Sequence, residues 1–225
     1  MLLTLLRLLE LQSGTIELDG VDIGQVRLDL LRQRSFITVS QDTLLLSNET
    51  LRFNLDPNAA LPEHIIIDAL LRVGLWAQFN RKVTDESVHA GYGTIDNSVS
   101  GEHPILDKKM SEFQDLSGGQ AQLFGLCRAL IHAAALSSAG VKPVVLLDEV
   151  TSSLDPATES KIYSIVEDEL SSKGHTVIVV AHRLGGLTER AKPGRDVVAF
   201  MRGGRLQEVI TDLSHLGSKN LEETE

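Results

Sequence analysis

The chain opens on its densest apolar stretch. Leu2–Leu11 is apolar almost all round, and this predicts a helix buried beneath a sheet rather than one lying on the surface. After a turn at Ser13–Gly14, Thr15–Gly20 alternates like a strand ending in a turn. Leu28–Arg34 reads as a short helix and Ser35–Ser40 as a strand that ends at Gln41. Between Asn48 and Asn80, apolar residues at 65, 66, 67, 70, 71 and 75 carry a helical period, broken at Pro57 and Pro62. The period fades from Arg81 to Gln114, a loop-rich stretch. It returns in a helix running from Ser117 towards Ala135, followed by the small-residue linker Ser137–Pro143. Val144–Leu147 is the compact apolar run of a central parallel strand covered on both faces. Pro156 suits the first turn of the next helix, and Thr176–Ala181 reads as a second buried strand. Val197–Met201 and Arg205–Ile210 form a final hairpin around Gly203–Gly204. No segment repeats. Strands alternating with helices give an α/β fold with a mainly parallel sheet.

Composition narrows this picture. A chain of 225 residues allows one domain, or one domain with a subdomain. Its net charge of -10 would repel a phosphate backbone, so nucleic acid is not an expected partner. A few local N–H groups can still hold a nucleotide. The single cysteine, Cys127, excludes an intrachain disulfide framework and suits a reducing compartment. No apolar run reaches the roughly 18 residues of a membrane span. The leucine-rich start has no basic region before it, is interrupted by Arg7, and lacks a small-residue cleavage site, so it reads as a buried helix rather than a secretion signal.

Chemistry concentrates at the ends of the predicted strands. Leu116-Ser117-Gly118-Gly119-Gln120 opens a helix. Ser117 is a good N-cap, and the glycines let a phosphate approach the free N–H groups at the positive end of the helix dipole. Taken alone, the run also reads as a helix cap with a flexible glycine turn. Asp148 and Glu149 follow the apolar strand, at the position where open α/β sheets place their ligands. Asp148 would hold magnesium and Glu149 would polarise an attacking water. Two solvated acids at a strand end are the plainer alternative. His182 ends the next strand, within reach of a terminal phosphate, though a strand-end histidine alone also reads as a polar cap, and Gln41 ends another, within reach of a metal or water.

Together, and in this order, these residues resemble those of an ATP-binding-cassette (ABC) nucleotide-binding domain. The resemblance makes Gln41 the Q-loop, Ser117, Gly118, Gly119 and Gln120 the signature, and Val144–Asp148 the Walker B strand. Glu149 is then the catalytic glutamate, Ser152–Asp155 the D-loop and His182 the H-loop. It implies a P-loop NTPase (RecA-like) fold with an inserted helical subdomain, the core being 1–43 and 116–225 and the insert 44–115. It also implies ATP and Mg2+ as ligands, and a second nucleotide-binding domain joined head to tail. In that arrangement the signature meets the partner's ATP, Gln41, Asp148, Glu149 and His182 act in cis, and Asp155 lies at the seam. Asn48–Pro57 is similar to the C subfamily, that of the multidrug-resistance-associated exporters, and within it to the C-terminal domain of fungal members. Membrane domains would then be further partners, and the cytosolic face of a membrane the location. Soluble ABC ATPases of translation or chromosome maintenance, and a non-catalytic module using the signature face alone, are the other classes. The chromosome type carries long heptad-rich inserts between Q-loop and signature, and none appears here; the translation type would need a second cassette in the same chain.

One element of the pattern does not occur in these 225 residues: a G-x-x-x-x-G-K-[ST] loop, whose N–H groups and lysine cradle phosphates. In the family that loop leads into the helix that here starts at Met1, and the strands before it are expected to be lacking too. A reading frame opened at an internal methionine, a piece of a long transporter and a degenerate protein all fit. Retention of Asp148, Glu149 and His182 favours the first two. Without the loop's charge-assisted bonds, at about 1.5–3 kcal/mol each, the isolated chain is expected neither to bind nor to hydrolyse ATP appreciably.

Overall fold

The computed structural model describes residues 1–80, 103–182, 185–188 and 190–213. Three parallel strands form its centre. They are β3 (Phe36–Val39), β4 (Val144–Asp148) and β5 (Val177–Val180), side by side in that order. Phe36 pairs with Val144 and Val145 with Val177, so Val39, Leu147 and Val179 lie level across the sheet. Because side chains alternate along a strand, the apolar run of β4 serves both faces. Val145 and Leu147 join Ile37 and Val39 in the larger core. Val144 and Leu146 join Phe36, Ile23 and Leu31 in a smaller one. The α/β reading of the sequence holds.

The larger core is closed by the 21-residue helix Gly118–Ser138 and by the helix Pro156–Glu169. The periodic stretch before residue 80 supplies its other wall. Its two prolines divide it where the sequence indicates, into Leu51–Leu55, Glu63–Val73 and a last helical piece at 76–80. Leu51, Ile66, Leu70 and Phe79 from these pieces are buried in the same core as Val145 and Ile162.

Four expectations are corrected. The helix at Leu2–Leu11 stops at Leu5, and Leu8, Leu9 and Leu11 are exposed. Arg7 takes φ +49°, outside the helix, and Arg32 donates to the carbonyls of Leu6 and Arg7, holding the chain out of register for a further turn. Only Leu2, Leu5 and Leu6 pack on the smaller core. The strand read at Thr15–Gly20 shrinks to β1 (Glu17–Leu18), because Asp19 and Gly20 both have positive φ and turn the chain into β2 (Val21–Asp22). Of the loop-rich stretch, 81–102 lies outside the described residues. Ile105 and Leu106 in its remainder are fully buried, so this part is a core segment despite lacking regular structure. Finally, β5 forms, but all four of its residues are half-exposed rather than buried, since among the described residues it has a strand neighbour on one side only.

The closing hairpin is as read, with β6 (Val198–Arg202) paired antiparallel to β7 (Arg205–Ile210) across Gly203–Gly204.

Candidate nucleotide site

Strand β4 delivers Asp148 to its C-terminal end, where the residue becomes exposed. The next residue, Glu149, turns into the left-handed region at φ +50°. Its N–H donates to the Val180 carbonyl at 3.0 Å, tying the turn to the end of β5. His182 lies two residues beyond that carbonyl. Its Nε2 is 2.8 Å from Glu149 Oε1, with the imidazole 78% exposed and the carboxylate 30%. Adjacent parallel strands thus bring a carboxylate and an imidazole together at the mouth of the sheet. A carboxylate so placed can take a proton from water, and the imidazole can orient the carboxylate or donate to an anion.

Gln41 follows β3 on the other side of β4. Its backbone carbonyl, rather than its side chain, makes the contact recorded here, accepting from Nε2 of buried Gln122 on the long helix. Arg128 of the same helix donates to the carbonyls of Leu44 (2.7 Å) and Asn54. Asn54 in turn pairs with Leu46 through both its backbone groups, at 2.8 and 2.9 Å. The segment after Gln41 is therefore fastened to one helix at several points.

The other candidate residues form a second locus. Ser117 caps the long helix in a reciprocal box: its hydroxyl accepts from the Gln120 N–H, and Gln120 Oε1 accepts from the Ser117 N–H at 2.8 Å. Asp155 caps the helix Pro156–Glu169, accepting from the N–H groups of Ala157 and Thr158 and from the Thr158 hydroxyl at 2.7 Å. That hydroxyl, then the two N–H groups, hold its carboxyl below the usual carboxylate range. The two caps face one cleft of about 440 Å³, lined by Ser117, Gly118, Gly119, Ser153, Asp155 and Thr158 among others. This size suits a small-molecule site. Space beside Gly118 is open, whereas a Cβ on Gly119 would sit 3.0 Å from Thr158 Cγ2. The first turn of the long helix opens on this cleft, and no side chain at 118 or 119 covers it.

Among the described residues no group of three or more His, Cys, Asp or Glu gathers around a metal position. Asp148 offers a single exposed carboxylate at a strand end, a donor set that fits a magnesium ion which keeps waters and takes phosphate oxygens.

Two residues around the site have no motif to mark them, Thr158 beside Asp155 and Gln122 beside Gln41. The signal for Thr158 is a hydroxyl three residues after an Asp that precedes a helix-starting Pro156, whereas Gln122 is an ordinary position on its helix and only the fold shows what it touches.

A scan of protein families matches residues 1–152 to the ABC transporter family. Similar proteins include an ABC-type transporter of Gibberella zeae, 32% identical over 91% of this chain. The ABC multidrug transporter B of Aspergillus fumigatus is 31% identical over 92% of it. The ATP-dependent bile acid permease of Saccharomyces cerevisiae is 31% identical over 91%. The chain belongs to the ABC transporter family, as nucleotide-binding-domain sequence with the α/β fold of P-loop NTPases. It spans only 11%, 12% and 11% of the lengths of these three relatives.

Proposed function

We propose that this chain is the part of an exporter's nucleotide-binding domain that completes and fires an ATP site, with ATP hydrolysis driving transmembrane transport. The observation that carries the reading is the 2.8 Å contact between Glu149 and His182 at the ends of neighbouring parallel strands. In it Glu149 accepts a proton from the attacking water, while His182 orients the carboxylate and faces the terminal phosphate. Asp148 holds Mg2+, with Gln41 at the metal and water. Bound Mg2+ supplies charge neutralisation to the phosphates. Ser117, Gly118, Gly119 and Gln120 offer their helix N-terminus to a nucleotide held by a second nucleotide-binding domain, and Asp155 sits at the seam between the two. The division into a core (1–43, 116–225) and a helical insert (44–115) belongs to the same reading, as do membrane-domain partners and a place on the cytosolic face. The segment Asn48–Pro57 favours a C-subfamily exporter and its C-terminal domain.

The 225 residues contain no G-x-x-x-x-G-K-[ST] string, so the isolated chain is expected to show no magnesium-dependent ATP turnover. Mixing it with a domain that carries such a loop should stimulate turnover. Ser117→Arg, which puts a long cation into the cleft, should remove the stimulation. Stimulation that survives Ser117→Arg would sink the trans role, and turnover by the chain alone that disappears in Glu149→Gln would sink the prediction of inactivity.

A further inference from the structure

The turn that carries Glu149 is anchored from beneath. Ser152 N–H donates to the Glu149 carbonyl at 3.1 Å, so residues 149–152 form one compact turn. Val150 and Thr151 point inward from it, each nearly fully buried. Thr151 Oγ1 lies 2.8 Å from the Tyr163 hydroxyl and 3.4 Å from Glu159 Oε1, both on the helix Pro156–Glu169. The hydroxyls form a relay, Tyr163 to Thr151 to the Glu159 carboxylate. Ile162, Tyr163, Ile165 and Val166 are the buried residues of that helix, and Tyr163 alone among them carries a polar group.

The same tyrosine supports the other arm of the pair. Gly186, four residues beyond His182, rests on its ring: a Cβ there would sit 3.1 Å from Tyr163 Cδ2 and 3.5 Å from Glu159 Cγ. Glu149 and His182 are thus each followed, within four residues, by a group seated on Tyr163. A bond between a half-buried carboxylate and an exposed imidazole keeps a defined length only if the backbone that carries it is held, and the buried Thr151–Tyr163 hydroxyl pair holds the turn that carries Glu149.

We propose that Tyr163, acting through Thr151 and Gly186, is a positioning residue that sets the spacing of the Glu149–His182 pair. The catalytic consequence rests on the function proposed above, whereas the geometric one does not. Tyr163→Phe keeps the ring and removes the hydroxyl, and Thr151→Val removes the other end of the same bond.

The test reads the His182 ring nitrogens of the full chain by NMR, with Glu149→Ala providing the signature of the broken pair. Tyr163→Phe and Thr151→Val should each move the His182 signals towards that signature. The double variant should move them no further than the stronger single one, since both remove one bond. Arg72→Gln, which breaks the Arg72–Glu169 ion pair at the far end of the same helix, should leave them in place. Unmoved His182 signals in folded Tyr163→Phe and Thr151→Val would overturn the proposal. In a version of the domain given its own G-x-x-x-x-G-K-[ST] loop ahead of this chain, so that Glu149 and His182 face a nucleotide in cis, Tyr163→Phe should lower kcat about three- to tenfold at unchanged KM. A raised KM with kcat intact would count against positioning. If that loop-bearing version shows no turnover, the functional reading fails, and the His182 signals still decide the geometry.

Discussion

At φ +50° the backbone of Glu149 lies where a Cβ crowds the following carbonyl, at a cost of roughly 1–2 kcal/mol against glycine. The fold holds it there from three sides, through the Val180 carbonyl, the turn closed by Ser152 and the buried Val150 and Thr151. Strain of this kind collects where a side chain must point in one direction for chemistry. It gives a prediction that inverts the usual order of substitutions. Glu149→Gly should be about 1 kcal/mol more stable than Glu149→Ala, whereas inside a helix or strand alanine wins. Chemical denaturation of the two variants checks this, and equal stability or an alanine advantage would mean that the turn relaxes when the carboxylate is removed.

At the scale of elements, the parts legible in the sequence are those where one period dominates. Val144–Leu147 reads as a doubly covered strand and is one, and Pro57 and Pro62 fall in the break between the helices Leu51–Leu55 and Glu63–Val73. Ser117, which reads as an N-cap, caps the long helix, because a cap has a local signature; Asp155 is found to cap the next helix as well. What the sequence hid depends on distant partners. Leu2–Leu11 looks buried by composition, but its fate is set by Arg32 capturing the Leu6 and Arg7 carbonyls. Ile105–Leu106 has no period at all and is still core. The anchoring of 190–196 is another such case. Arg195 grips Glu167 at 2.8 Å and Lys192 approaches it at 2.5 Å, fastening this segment to the helix Pro156–Glu169. Bonds from Arg195, then Lys192, lower the Glu167 pKa from 4.5 to about 2. A depressed carboxylate stabilises the fold fully above its unfolded value, and the contribution disappears as pH falls through the folded one. The stability difference between wild type and Glu167→Gln should therefore hold at neutral pH and close between pH 4.5 and about 2. A gap independent of pH over that range would show that the ion pairs contribute nothing to folding.

At the scale of the whole molecule, one apolar core joins pieces of very different origin. Phe124, fully buried on the long helix, meets Phe79 edge-on at 6.1 Å and lies beneath the Arg128 guanidinium at 5.2 Å. The helices at 51–79, the long helix and β4 thus share one interior, with no apolar seam between them. Phe124→Ala should cost about 3–5 kcal/mol. Because the core is shared, circular dichroism and Trp76 fluorescence should report one coincident transition in both proteins. Separate midpoints would show that the helices around Trp76 melt on their own.

The pairing of β3 with β4 has a consequence for how the chain is made. Phe36 finds its neighbour in Val144, over a hundred residues later. At ribosomal speeds, β3 is exposed for about 5–20 seconds before its partner strand has been synthesised. For that interval Phe36, Ile37 and Val39 lack their partner strand and have only Ile23, Leu31 and the helices at 51–79 to pack against. During synthesis the unpaired hydrogen-bonding edge of this four-residue strand is open to pairing with another chain, so a chaperone's cover over it would raise the yield of folded protein.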